Sequence, residues 1–523
     1  MLIFRQCLSI AVRYLSLLFI LVSISTPAAP FKQVAKKIQA NRLSEFKQKK
    51  IKLPRNRPPR VIPPSVIKPQ IIPPPRVIPS SSPGDPAAFN VKSGARVLYV
   101  SPSGLNSNSG LLESAPLKTI QYAMDLSKPG DTVLVMNGTY SHKDYPFGDI
   151  VTIQNSGNEN AWITLKAFPG DTPLLSSINW SAIKVQANYI LVEGFTIVGN
   201  RDDVTLDYAL AEKSNTNNPT TSGNGIAIAP PYDKPTIHPH HVIVRNNQVS
   251  KCSGGGIGTM QADYVLIENN VVSGNGYWAP YGNSGISVYQ SWNSDSTTGY
   301  KMIVRGNTAF GNFNKIPFVF SDPDPAKRVI TDGNGIIVDD ARNTQNFNGT
   351  NGTPKPYLGR TLVDSNLVYE NGARGINVFS SDHVDVIHNT TYHNSIQNET
   401  PDGEITLFSA TDIRVYNNIF VARDDRPTTS RLYAADPKNA AERNSQSFVR
   451  NIVFGGLGFD ANAAGNLVGV NPQFNNAKSY DFTLATASPA IDGADLRLSF
   501  LHALAGAKRP LGKGPDIGAY EIR

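Results

Sequence analysis

The sequence predicts an all-β solenoid, a chain wound into stacked coils, and three observations lead there. One short pattern recurs as VIVRNN (242–247), VLIENN (265–270), MIVRGN (302–307), TLVDSN (361–366), VDVIHN (384–389) and IRVYNN (413–418). Each copy is a run of strand-forming residues that ends on asparagine, as expected of one supersecondary unit repeated and stacked. The interval is 23 residues from Asn247 to Asn270 and again 23 from Asn366 to Asn389, which fits one coil of about three short strands. A second strand type accompanies the first: GNGIAIA (223–229), GGGIGTM (254–260), NSGISVY (283–289), GNGIIVD (333–339), ARGINVF (373–379) and DGEITLF (402–408).

Alternation along the second type turns Ile226, Ile257, Ile286, Ile336, Ile376 and Ile405 inward, leaving Gly258, Ser287, Ile337, Asn377 and Thr406 outward. Stacked coils place equivalent positions about 4.8 Å apart. The amides of Asn247, Asn270, Asn307, Asn366, Asn389, Asn418 and Asn451 are therefore expected to bond one another in a ladder, because burial demands satisfied amides. Two residues before the ladder position, Glu193, Arg245, Glu268, Arg305 and Asp364 alternate in sign, which predicts a surface ion-pair column that helps set register. The intervals of 37 residues (Asn270 to Asn307), 59 (Asn307 to Asn366) and 29 (Asn389 to Asn418) mark insertions where loops leave the stack.

A repeat that runs from about 180 to 455 argues for one elongated body within the 523 residues. Residues 1–29 carry Arg5 and Arg13, an apolar run at 14–25 and the small residues TPAA. They read as a secretory signal or, uncleaved, a membrane anchor. Residues 30–95 form a basic, proline-rich linker whose composition favours extended polyproline structure, and residues 96–523 form the solenoid. Residues 30–85 hold 13 Lys and Arg against 2 acidic residues, and the first segment adds two arginines, so the net +8 of the chain leaves about −5 for residues 86–523. The basic charge belongs to the tail and says little about the ligand of the body. Beyond Cys7 of the signal only Cys252 remains, so no intrachain disulfide supports the mature chain. Zinc spacings, a Walker loop, a serine nucleophile elbow and RNA-type aromatic motifs are missing, so nucleic acid is not an expected partner. The body is expected to be a monomer.

Residues 98–140 read as strand, loop, short helix (TIQYAMDLS) and strand, the helix capping the open apolar end of a solenoid. This entry, and the tail at 471–495 with GPDIGAYE (514–521), resemble the secreted pectate lyase-like right-handed parallel β-helix superfamily over about residues 96–523. The resemblance implies a right-handed parallel β-helix, a secreted or cell-surface location, and a polysaccharide partner. It implies the activity only loosely, since one fold hosts many functions. In members that cleave polysaccharides, the face of the Gly-Ile strands carries the chemistry.

On that face Ser284, Asn334 and Arg374 precede the strands, while Tyr289, Asp339 and Phe379 end them, and long loops enter and leave at both sides. Such walls make a groove, with Asn334 and Asn377 as substrate-binding candidates. Asp332, Asp339 and Asp340 surround one strand, a set of hard oxygens suited to Ca²⁺, although aspartates at turns also bond local amides. The superfamily's calcium-dependent lyases pair such a cluster with a Lys or Arg base; Arg374 and Lys315 are the candidates, outside any family motif matched residue by residue. Trp278 and Tyr281 in an entering loop, and Tyr289 at a strand end, offer rings for sugar C–H faces, or simply pack the loops. These readings favour a lyase that cleaves a uronate polysaccharide by β-elimination. A non-enzymatic glycan-binding or adhesin-type protein is the alternative, favoured by the linker. A glycoside hydrolase stands third, with Asp332 facing Asp339 or Asp340 across about 5–9.5 Å.

Overall fold

The computed structural model describes residues 89–523 apart from 95, 142–147, 178, 346–354, 433–439 and 458–464. The expected signal and most of the expected linker, residues 1–88, lie outside the described residues, as does part of the loop that leaves the strand ending at Asp339.

Three parallel sheets wind round one core as a right-handed parallel β-helix. Among the described residues the first sheet has eleven strands and holds the asparagine-ended segments, such as His240–Arg245, Asp263–Glu268 and Tyr300–Arg305. The second, also of eleven, consists of very short strands such as Gln248–Ser250 and Val271–Ser273. The third, of nine, holds the Gly-Ile strands, among them Ile257–Met260, Ile286–Tyr289, Ile336–Asp339 and Ile376–Phe379. Consecutive coils are neighbours in every sheet, so the 59 residues between Asn307 and Asn366 are one coil carrying two long loops. The inward isoleucines stack in register and are fully buried, each worth roughly 1.5–3 kcal/mol of apolar burial. The helix Ile120–Leu126, capped by the Thr119 hydroxyl, lays Ile120, Ala123 and Met124 on the end of this core.

The asparagine ladder is complete. From Asn247 through Asn451, the backbone N–H and the Nδ2 of each residue both donate to Oδ1 of the next at 2.8–3.0 Å. Phe195 N–H feeds the first member and Asn466 closes the last. The corner is two residues long in each coil of the ladder, and the residue before each ladder position (Asn246, Asn269, Gly306, Ser365, His388, Asn417, Arg450) has a positive φ of 53–62°.

A second ladder lies five residues further along each coil, at the end of the short strands. Cys252 N–H donates to Asn275 Oδ1 at 2.9 Å, and Asn275, Asn312, Asn371 and Asn394 repeat the two-donor arrangement. Glu404 ends it, its two carboxylate oxygens accepting from Asn394 N–H at 2.8 Å and Nδ2 at 2.6 Å. Burial raises the Glu404 carboxyl to about 7, with the Asn394 bonds opposing. The native state therefore holds a proton more tightly than the unfolded chain, and stability present below about pH 4.5 is lost as pH rises towards 7. The contribution is on the order of 3 kcal/mol. Urea unfolding of the Glu404→Gln variant is expected to lack this fall, so the wild-type-minus-variant stability difference should drop by that amount as pH rises from about 4.5 to 7. A pH-independent difference would refute the buried titration.

The alternating column is formed as expected, with Arg245 Nη2 at 3.1 Å from Glu193, Arg245 Nη1 at 3.8 Å from Glu268, and Arg305 Nε at 3.3 Å from Asp364. It is not a surface column, however: Arg305 and Asp364 are buried. The C-terminal segment comes over this flank, where Ser365 Oγ donates to the His502 carbonyl. There Arg509, itself buried, bonds Glu521 at 2.8 Å and the carbonyls of His502, Asp516 and Gly518. A covering segment from far along the chain is invisible to any local pattern.

Candidate functional site

The third sheet presents two outward rows. Lys184, Ala227, Gly258, Ser287, Ile337, Asn377 and Thr406 stand in register in one, and Met260, Tyr289, Asp339, Phe379 and Phe408 in the other. The face is open at Gly258, where an added Cβ would meet nothing within 4 Å. It closes over the next coils, where Ile337, Asn377 and Thr406 are buried.

Two banks of loops border these rows. On the entering side the segment after Asn200, with short helices Leu206–Ala211 and Pro219–Ser222, is tied to its neighbours. Trp278 Nε1 donates to the Arg201 carbonyl at 2.7 Å, Tyr281 Oη to the Thr216 carbonyl at 2.8 Å, and Arg328 Nη1 to Ser214 Oγ at 2.9 Å. On the leaving side His238 stacks on Trp292 at 3.7 Å, and Asn293 bonds the 355–359 segment through Pro356 and Leu358.

The sequence candidates separate within this frame. Asp340 is spent on its own turn: Oδ1 accepts from Thr344 N–H and Oγ1, and Oδ2 from Gln345 N–H and Gln290 Nε2. Asp332 accepts from Asn334 Nδ2 at 2.8 Å and Thr331 Oγ1 at 2.7 Å. Asp339 differs. It points outward from the strand, and its Oδ1 is shielded without a hydrogen-bond donor among the described residues. Burial first, then the Asp332 and Asp340 carboxylates, push its carboxyl well above the ordinary range. Asn334 Oδ1 and Asn377 Oδ1 are likewise buried without donors, although Asn334 Nδ2 is held by Ser284 and Asp332. These three oxygens, at Asp339 and Asn377 on neighbouring strands and at Asn334 just before the first of them, are buried acceptors beside the face, as is Gln290 Oε1.

The cations and rings are more engaged than their sequence positions suggest. Arg374 pairs with Asp402 and donates to the Thr331 carbonyl, which fixes the strand bearing Asn377 against the Thr331–Asp332 segment. Lys315 lies over the Tyr277 ring at 4.7 Å and Trp278 at 5.8 Å, and its ammonium is lowered by burial and by Arg201. Trp278 packs with Val204, Ala209 and Ile316, so it orders the loop bank. Tyr281 is half-buried in the same bank, while Tyr289 stays on the face beside Asp339. Sequence reasoning missed Asp402 and the second ladder; the constant five-residue offset from one asparagine to the next was the signal for the latter.

The raised Asp339 carboxyl gives a direct test. Stability that it contributes is full below the ordinary carboxylate range and is lost as pH rises above it. Asp339→Asn is expected to flatten that part of the pH profile and to unfold at a higher temperature than wild type at about pH 8. A lower unfolding temperature there would mean that Asp339 is charged and stabilising.

Among the described residues no three His, Cys, Asp or Glu side chains gather as a metal cage, and no helix is long and apolar enough to cross a membrane. The family model of the Pel9A-like right-handed β-helix region matches residues 98–403. Pectate lyase PEL9 of Emericella nidulans is 35% identical over 78 residues, 15% of this chain and 18% of that protein, so the match spans under a fifth of that relative's length. The crystal structure of pectate lyase Pel9A aligns with a TM-score of 0.43 at 16% identity, covering 83% of this chain and 98% of that one. A rhamnogalacturonan lyase aligns at 0.35 and 14%, covering 68% and 87%. With more than half its length matched by the family model, and its coils built as that description states, the chain belongs to the Pel9A-like right-handed β-helix family.

Proposed function

We propose that this protein binds an acidic polysaccharide along the outward face of the third sheet and cleaves it by β-elimination, working outside the cell. The observation that carries this reading is the family match over residues 98–403, which spans the coils from Lys184 to Asn377. A uronate carboxylate must be neutralised before the neighbouring C–H is acidic enough to lose its proton. Asp339, held protonated, can donate to such a carboxylate, as a neutral acid in an apolar site does. Asn334 and Asn377, whose amide oxygens are buried without donors, would accept from sugar hydroxyls once the loops above them open. Arg374 acts here as a positioning residue, and Lys315, the cation whose ammonium is lowered, is the more readily deprotonated candidate base.

Of the aspartates expected to hold calcium, Asp340 is filled by its own turn and no three carboxylates gather among the described residues, so calcium would be held by Asp332 or Asp339 with neighbouring amide oxygens and water only after the loops rearrange. When bound, it would supply the same charge neutralisation. One observation favours binding without cleavage as a second reading: both candidate bases are engaged, Arg374 by Asp402 and Lys315 by Tyr277 and Trp278.

The test is incubation of the protein with pectate, alginate and glycosaminoglycans, with calcium and with chelator. Unsaturated uronate ends support the lyase, and loss of them with chelator supports the metal. Reducing ends without unsaturation indicate hydrolysis, retention without cleavage supports the second reading, and failure to bind any polymer removes both.

A further inference from the structure

The third-sheet strands from Asn224–Ile228 to Ile405–Phe408 contain no lysine or arginine, and Asp339 is their one carboxyl. The outward row that holds it runs Met260, Tyr289, Asp339, Phe379 and Phe408, in register on successive strands. Apart from the acid this row is a thioether and rings, and Phe379 stacks on Phe408 at 4.7 Å. The companion row, from Ala227 to Thr406, carries no charge. Lys184 stands in register beyond Ala227, four strand steps before the strand of Asp339, about 19 Å at ~4.8 Å each. In the loop banks Arg374 is engaged by Asp402, Arg328 by Ser214 and the Asp322 carbonyl, and Lys315 by the Tyr277 ring. A free uronate carboxylate seated here would meet Asp339 and no cation of these strands, and an anion taken from water without a partner is costly.

We propose that the sugar seated at Asp339 carries its uronate carboxyl as an alkyl ester, so that the substrate is an esterified uronate polymer. This rests on the binding and elimination proposed for the face and narrows the substrate. An ester sets a neutral carbonyl beside the acid, and its alkyl group packs on the Tyr289 and Phe379 rings that flank Asp339 in the row. Esterification also does covalently what charge neutralisation does for the free acid, because the C–H beside an ester carbonyl is already acidified. A base takes the proton from that carbon, and the electron pair forms a C=C bond to the next carbon. The bond from that carbon to the glycosidic oxygen breaks, and the oxygen leaves with its electron pair and takes a proton. The ester itself is unchanged.

Pectate, alginate and a glycosaminoglycan, each as its sodium salt and as its methyl ester, test this with the full chain and with calcium present throughout. Unsaturated ends are expected at least about tenfold faster from the ester of one polymer than from its salt. A salt cleaved as fast as its ester, or faster, overturns the ester and leaves the elimination standing. Tighter retention of an ester without cleavage supports the ester and removes the elimination, while neither retention nor cleavage of any form overturns both. If a salt acetylated on its sugar hydroxyls matches the methyl ester, the group recognised is not on the carboxyl and the inference fails. The Phe379→Arg variant sets a cation beside Asp339 and should move the ester-to-salt ratio at least about tenfold towards the salt. An unchanged ratio at an unchanged unfolding temperature overturns the proposal.

Discussion

Asn307→Ala is expected to cost about 4 kcal/mol of folding stability. Asn307 is fully buried within the ladder. It accepts from Asn270 N–H and Nδ2, donates twice to Asn366 Oδ1, and donates to the Ile267 carbonyl at 2.9 Å and the Arg305 carbonyl at 3.0 Å. Alanine strands donors above and acceptors below, each costing about 1–3 kcal/mol when left buried and unpaired. Asn307→Asp keeps the acceptor for Asn270 but turns an oxygen towards Asn366 Oδ1 and the Ile267 carbonyl, so it should be at least as damaging. Urea unfolding at constant m-value measures both. A loss below about 1 kcal/mol would mean that the coils are held by apolar stacking alone.

Gly258→Tyr is expected to do the opposite, leaving the fold intact and removing polymer binding by about a hundredfold, near 2.7 kcal/mol. The position lies in an ordinary strand, with open space above it. Replacing a strand glycine should itself add about 0.5–1 kcal/mol of stability. A phenol ring there would occupy the path of a polymer that crosses from Ser287 towards Ala227. Affinity electrophoresis beside thermal unfolding separates the outcomes: an unfolding temperature at or above that of the wild type with undiminished retention would place the polymer elsewhere.

What could be read from the sequence follows the reach of each interaction. The first ladder, the inward isoleucines and the coil length were legible because they repeat at fixed positions. The second ladder was harder, because Cys252 stands at its first position and Glu404 closes it, which interrupts the run of asparagines at both ends. The ion pairs were legible as pairs, but their burial depends on residues 495–521, remote in sequence. At the site, Asp339 and Asp340 look alike in the sequence. The strand's alternation sends the first outward, while the second takes a left-handed turn with φ of 50° and bonds its own loop. Whether Trp278 meets solvent or a loop bank likewise depends on where Arg201 comes to rest.

The two-residue corner before the asparagine ladder also limits how such a protein can diversify. Seven successive corners hold a left-handed residue followed by a buried amide, and neither tolerates an added residue without breaking the chain of amides. β-branched residues are also poorly tolerated at the left-handed place, at a cost of roughly 1–2 kcal/mol. With those seven corners fixed, the long loops of these coils leave at the other two corners. Both flank the third sheet, so the long loops of these coils all border one face.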